Sequence, residues 1–323
     1  HAMTMQHFTI LGGPRQNLTH ERIQVVYLGQ VDRPFASQDI RANRFEIVLR
    51  DFRAADAEKS RIALAEVAAS GVPNYFDDQR FGSVREGEPF LAKALVEGRF
   101  EDALKLALTA PYEFDKPADK KEKALIRQFW GDWPRLKVEL PRGHARSLTT
   151  YLVDHPTDFK GAVTRLRPEL RGLYLSAYQS HLWNRILARW LVAQVPRADL
   201  TYVRLKLGLA PMPRRATPEQ LADWRTRELP LPSARTKIAD DDPIKPFVDG
   251  VLTEEGLTQK GMQVRGIREM FFSKGGRPAF LVASNVTGEV ADDETRPGKK
   301  KLTMGFDLPR GCYATLVVKR ITG

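Results

Sequence analysis

Only one cysteine, Cys312, stands among 323 residues. That excludes an intrachain disulfide and any zinc site built on several thiolates, and it suits a reducing compartment. Long apolar runs are missing as well: none approaches the ~18 residues that a membrane helix requires. The start, His1-Ala2-Met3-Thr4, has neither a basic n-region nor an apolar h-region, so secretion is not expected. The Asn-X-Thr triplets at Asn17 and Asn285 then read as chance matches. The expected location is the cytoplasm. There is no phosphate-binding loop, no dinucleotide fingerprint, no His-Glu-x-x-His and no cysteine cluster, which removes the familiar nucleotide- and metal-dependent classes. Neither a cofactor nor a metal is expected. His144, His155 and His181 lack ligand-like neighbours and read as surface or packing residues. Asp240-Asp241-Asp242 reads as a solvated loop rather than a magnesium site.

Positive charge is what the chain has in excess. The net charge is +11 and the isoelectric point about 9.7, a balance that points to a polyanionic partner. The excess is uneven. Residues 1–70 hold 9 Lys/Arg against 8 Asp/Glu, whereas residues 260–323 hold 12 against 6. A hydrophobic content of 42% suffices for a packed core, and the length suits about two domains.

Periodicity divides the chain into three stretches. Near the start, Gln24–Leu28 and Arg44–Arg50 are expected to be strands, the second because polar and apolar residues alternate. Residues 55–69 form an alanine-rich helix stopped by Gly71. The middle is predominantly helical, with amphipathic segments at 100–109 and 120–130. Its strongest helix is 173–194, where Leu175, Tyr178, Leu182, Trp183, Ile186, Leu187 and Trp190 recur at three- and four-residue steps. That aromatic stripe reads as core. Residues 210–218 and 229–247 are expected to be loops, and a last helix to run from Thr253 to Phe272. Strands return at Ala279–Ala283, Lys301–Phe306 and Tyr313–Ile321, with Asp292–Lys301 as a solvated hairpin tip. The fold class is therefore α+β, a sheet built from both ends of the chain and interrupted by a largely helical insertion. Two separate all-β domains would each be too small to bury a good core.

Four stretches resemble one family. Gly71-Val72-Pro73-Asn74-Tyr75-Phe76-Asp77-Asp78-Gln79-Arg80-Phe81-Gly82 resembles the G-V-P-N-Y-F-x-x-Q-R-F-G segment of the TruD family of pseudouridine synthases. Asn43-Arg44-Phe45, continuing to Arg50, is similar to its N-x-F-x-x-x-x-R motif. Leu308-Pro309-Arg310-Gly311-Cys312-Tyr313-Ala314-Thr315 is similar to its L-P-x-G-x-(Phe/Tyr)-A-T motif. Tyr174–Ser180 resembles a helix start in its inserted domain. Order and spacing match as well, so the likeness spans nearly the whole chain.

The resemblance implies a mixed β-sheet pseudouridine-synthase core at 1–70 and 276–323, with a family-specific domain inserted at 71–275. It implies isomerisation of a uridine in tRNA, at position 13, by an aspartate nucleophile without a cofactor. In the family motif G-x-K-D-x-x-A-x-T-x-Q, Ala2, Thr4 and Gln6 occupy the last fixed positions, so the Lys-Asp pair is expected just before His1. Asp51, Asp77 and Asp78 are read as surface or cap residues. Tyr313 is expected to lie against the extruded base, with Asn43 and Phe45 completing its pocket and Thr4 and Gln6 beside it. Arg50, Arg80, Arg310 and Lys319 are candidates for RNA phosphates. For Arg50 and Arg80 pairing with Asp51, Asp77 or Asp78 is an equal alternative. The runner-up function is a tRNA-binding or RNA-folding protein that keeps the pocket without chemistry.

Overall fold

The computed structural model describes residues 3–82 and 84–323. Two short strands, β1 (Leu18–His20) and β2 (Ile23–Val25), pair as a hairpin. The second stops at Val25 rather than Leu28; Val26 and Leu28 are exposed, with nothing to pack against. The long strand β3 (Ala42–Phe52) shows the expected alternation. Phe45, Ile47 and Leu49 are half-buried on one face, and Arg44, Glu46, Val48 and Arg50 are exposed on the other. Helix α1 (Ala54–Ser70) buries Ala57, Ser60, Leu64 and Val67, one stripe at helical spacing.

After β4 (Val72–Pro73) the chain is helical: α2 (Leu91–Val96), α3 (Phe100–Thr109), α4 (Pro117–Gln128), α5 (Trp133–Glu139), α6 (His144–Asp154), α7 (Phe159–Thr164) and α8 (Pro168–Gln194). The aromatic stripe of α8 is core, as its spacing implies: Tyr178 and Trp183 are fully buried. His181 is a packing residue too, stacked on Phe90 with its pKa pushed down to about 4 by burial. The hairpin β5 (Leu200–Leu205) and β6 (Gly208–Pro213) follows, then α9 (Pro218–Thr226), whose Thr217–Gln220 capping box starts it. Strand β7 (Glu228–Pro230) and helix α10 (Lys245–Glu254) precede β8 (Gly276–Pro278), β9 (Phe280–Leu281), β10 (Ser284–Asp292), β11 (Lys300–Pro309) and α11 (Ala314–Thr322).

Four sequence expectations give way here. The segment 210–218 is not a loop throughout: Ala210–Pro213 pair with β5, and Pro218 opens α9. The loop expected at 229–247 is shortened by β7 and by the first turn of α10. The helix expected at Thr253–Phe272 is instead the end of α10, because Gly256 at φ 72° breaks the chain out of helical geometry. Tyr313–Ile321 is a helix, not a strand. Its β-branched residues favour a strand locally, but Val317 and Ile321 lie at helical spacing and are buried, and Lys319 and Arg320 close the last turn, where the helix dipole favours cations.

Strands β10, β11 and β3 form an antiparallel sheet in that order. It joins residues from both ends of the chain, and α1 packs on it and against α11. The β4–β9 and β7–β8 pairs stitch the middle of the chain to its last quarter. The tip between β10 and β11 is more than solvated charge: the Asp293 side chain is fully buried. It accepts bonds from Arg50, the Thr295 hydroxyl and the Asp51 backbone. Among the described residues no helix is long and apolar enough to cross a membrane, and no group of acidic, histidine or cysteine side chains could hold a metal ion.

Gly71 shows why that position admits no side chain. It caps α1 at φ 74°, ψ −174°, a region essentially restricted to glycine, and a Cβ there would lie 2.6 Å from the Leu281 carbonyl oxygen. Gly71→Ala should lower unfolding free energy by about 2–4 kcal/mol, read by urea denaturation. Stability within error of the unsubstituted protein would contradict the close approach.

Candidate functional site

The segment Gly71–Gly82 builds the site, and most of its side chains are spent on holding three parts of the chain together. Asn74 is 2% exposed. Its Nδ2 donates to the Pro278 carbonyl at 3.1 Å, and its backbone N–H to the Ala279 carbonyl at 2.8 Å. The buried Tyr75 hydroxyl donates to the Pro211 carbonyl of β6 at 2.9 Å. The Phe76 backbone is bonded on both sides by the Asn184 amide of α8, and its ring meets Trp183 edge-on at 5.5 Å.

Asp77 is 2% exposed, not the surface acid it resembles in the sequence. Its carboxylate accepts from Lys319 Nζ at 2.6 Å and from the Thr315 hydroxyl, both on α11. Lys319 also reaches Asp78 at 2.8 Å, and the Asp78 carboxylate accepts from the Lys206 backbone N–H at 2.7 Å. Burial pushes the Asp77 carboxyl up, but the bonds from Lys319, Thr315 and the Asp78 backbone outweigh it, so its pKa lies below the ordinary value. Lys319 moves the opposite way: burial lowers it, and Asp77 and Asp78 raise it further. The two directions agree on an ionised pair.

Arg277, on β8, is the cation that sequence reading missed; nothing in Gly275-Gly276-Arg277-Pro278 sets it apart from a turn. It is half-buried. Its Nε donates to the Asn74 carbonyl at 3.0 Å and its Nη2 to Asn74 Oδ1 at 2.7 Å. The guanidinium carbon lies 4.1 Å from the Phe76 ring centroid and 5.9 Å from that of Tyr313. Arg80 approaches the same Phe76 ring at 5.3 Å and donates to the Ser180 hydroxyl at 3.1 Å.

Tyr313 is half-buried at the N-terminal end of α11. It follows a turn in which the Cys312 N–H donates to the Pro309 carbonyl at 3.3 Å, with Gly311 at φ 81° in the third position, a geometry that suits glycine. That turn leaves β11 at Pro309, and within the sheet Asn43 pairs with Leu308, and Phe45 with Phe306. Phe45 packs on Phe306 at a centroid distance of 5.8 Å. Asn43 and Phe45 thus lie on β3 beside the last residues of β11, and Tyr313 follows four residues after that strand ends.

The other sequence candidates divide. Thr4 and Gln6 are exposed on an irregular segment and make no hydrogen bond among the described residues; Ala2 lies outside the described residues. Arg50 is taken up by Asp293 at 2.8 Å and Glu294 at 2.7 Å, and not by Asp51, the alternative to an RNA phosphate that the sequence offered. Asp51 instead faces Lys299 at 3.3 Å. Lys319 is committed to Asp77 and Asp78. Arg310 is exposed and carries no ion pair among the described residues. Arg80 pairs with neither Asp77 nor Asp78.

This arrangement matches known proteins along its length. The family model described as tRNA pseudouridine synthase D (TruD) matches residues 1–207 and 210–321. The chain belongs to the TruD family. A probable tRNA pseudouridine synthase D of Methanosarcina mazei is 32% identical over 321 residues, covering 92% of this chain and 72% of that one. A probable tRNA pseudouridine synthase D 1 of Methanococcus maripaludis is 29% identical, covering 99% and 82%. The crystal structure of a putative TruD from Methanosarcina mazei superposes with a TM-score of 0.72 at 28% identity, covering 94% of this chain and 74% of that one.

Asp77 gives the TruD segment a measurable acid sensitivity. Its pKa is depressed on folding, so its contribution is fully present above the unfolded value of about 3.9 and is lost as pH falls through the lower folded value. Asp77→Asn should cost about 2–3 kcal/mol at pH 7, somewhat less than a broken buried pair because Lys319 keeps Asp78. Its stability should also fall less steeply than that of the unsubstituted protein below pH ~4. Denaturation midpoints measured across that pH range check both; parallel curves would rule out the buried pair.

Proposed function

We propose that this protein isomerises uridine 13 of tRNA to pseudouridine. The observation that carries this is Tyr313, half-buried at the start of α11 and one turn beyond the strand end that pairs with Asn43. An extruded uracil needs an aromatic face and a partner for its amide edge. Tyr313 supplies the first, and the Asn43 side chain offers both a donor and an acceptor for the second. Phe45, between Asn43 and the core, forms the apolar wall.

In the reaction the C1′–N1 glycosidic bond breaks, the uracil turns, and C5 bonds to C1′; the proton leaves C5 and N1 gains one, so no atom is gained or lost overall. An aspartate carboxylate acts as the nucleophile. It belongs to the motif whose last fixed positions are Ala2, Thr4 and Gln6. Asp77 and Asp51 do not stand in for it, since one is buried against Lys319 and Thr315 and the other faces Lys299.

Incubation of the protein, with that motif complete, and an unmodified tRNA transcript should yield pseudouridine at position 13, detected by chemical labelling. Tyr313→Ala should lower turnover by the equivalent of about 1–3 kcal/mol of lost stacking, whereas Tyr313→Phe should retain most of it. Binding without product would favour an RNA-folding protein, and an unaffected Tyr313→Ala would remove Tyr313 from the pocket.

A further inference from the structure

Two guanidiniums from distant parts of the chain meet on one aromatic ring. Arg277 and Arg80 lie 4.1 and 5.3 Å from the Phe76 centroid, and neither has a carboxylate within salt-bridge distance among the described residues. The adjacent acids do not balance them: Asp77 and Asp78 are held by Lys319. Burial lowers the pKa of Arg277; Cys312 and Tyr313 raise it in part, and the charge of Arg80 lowers it again. Donors are left over as well. Nη1 of Arg277, and both Nη groups of Arg80, donate to no protein atom among the described residues.

A role confined to architecture accounts for half of this. The bonds from Arg277 to Asn74 and its stacking on Phe76 tie β8 to the TruD segment. They do not account for Arg80, a second cation beside it, where like charges in a half-buried place repel. An anion between the two would satisfy the free donors and offset the repulsion, and guanidiniums suit phosphate through paired N–H groups. The place also fits: the Tyr313 ring centroid lies 5.9 Å from the Arg277 carbon, and Nη1 sits 3.9 Å from where a Gly311 side chain would begin.

We propose that Arg277 and Arg80 together bind one RNA phosphate next to the base held at Tyr313. This rests on the substrate being RNA, and it adds a backbone site to the base pocket. The phosphate would fix the register of the strand, while Tyr313 and Asn43 select the base.

Binding of an unmodified tRNA transcript across a salt series tests this for Arg80→Gln, Arg277→Gln and the double variant, with thermal midpoints recorded alongside. Each single change should weaken binding about tenfold, the size of one charge-assisted contact. The double variant should lower the slope of log affinity against log salt by about 0.7–0.9, one phosphate's worth. An unchanged slope overturns the site, as does a fall of twice that size, which would mean two separate contacts. Should Arg277→Gln fail to fold, Arg80→Gln decides: tenfold weaker binding with a shallower slope upholds the site, and unchanged binding overturns it. The pseudouridine assay on the unsubstituted protein separates the two readings. Product with no slope change in the variants sinks the phosphate site alone. A slope change without any product sinks the proposed reaction and leaves the site standing.

Discussion

The buried carboxylate of Asp77 is the contact on which the remaining geometry depends. It holds α11 through Lys319 and Thr315, while its neighbours Tyr75 and Phe76 are held by β6 and α8. A buried charge is costly unless paired and hydrogen-bonded, and here three donors meet it. The same short segment therefore connects the helical middle of the chain to the helix that carries Tyr313 at its start. Asn74 extends the connection to β8 and β9 through Pro278 and Ala279.

That division of labour changes the meaning of the twelve-residue TruD segment. Nearly every residue in it answers a structural demand: Gly71 a close backbone approach, Asn74 four bonds to Arg277, Pro278 and Ala279, Tyr75 a buried carbonyl, Asp77 the side chains of Thr315 and Lys319. Asn43, Phe45 and Tyr313, the residues proposed to meet the base, lie on other segments. Arg80 is the exception inside the segment, a side chain whose structural bond to Ser180 leaves donors free. Most of what the motif encodes is a frame.

The fold was legible where one face of an element is apolar. Strand β3, helix α1 and the long α8 follow from alternation or from three- and four-residue steps, because burial of a single face selects one period. Helix α11 was not legible. Val317, Val318 and Ile321 suggest a strand, and what rewards the helix is tertiary: burial of Leu316, Val317 and Ile321, and the contacts of Thr315 and Lys319 with Asp77, more than 200 residues away in sequence. The proposed pocket rests on resemblance, since Asn43 and Tyr313 look like a turn residue and a core residue by themselves. Ion pairing was legible least. Arg50 found Asp293 and Glu294 instead of Asp51, and Lys319 found Asp77, because side chains pair across the fold and their partners leave no mark in local sequence.

The placement of Tyr313 depends on the coupling between Asp77 and α11. A double-mutant cycle of Asp77→Asn and Lys319→Met, followed by urea denaturation at neutral pH, measures it directly. A coupling energy of about 1–3 kcal/mol is expected for a buried, hydrogen-bonded pair. Strict additivity of the two substitutions would contradict this, since Asp77 would then not hold the helix of Tyr313 through Lys319.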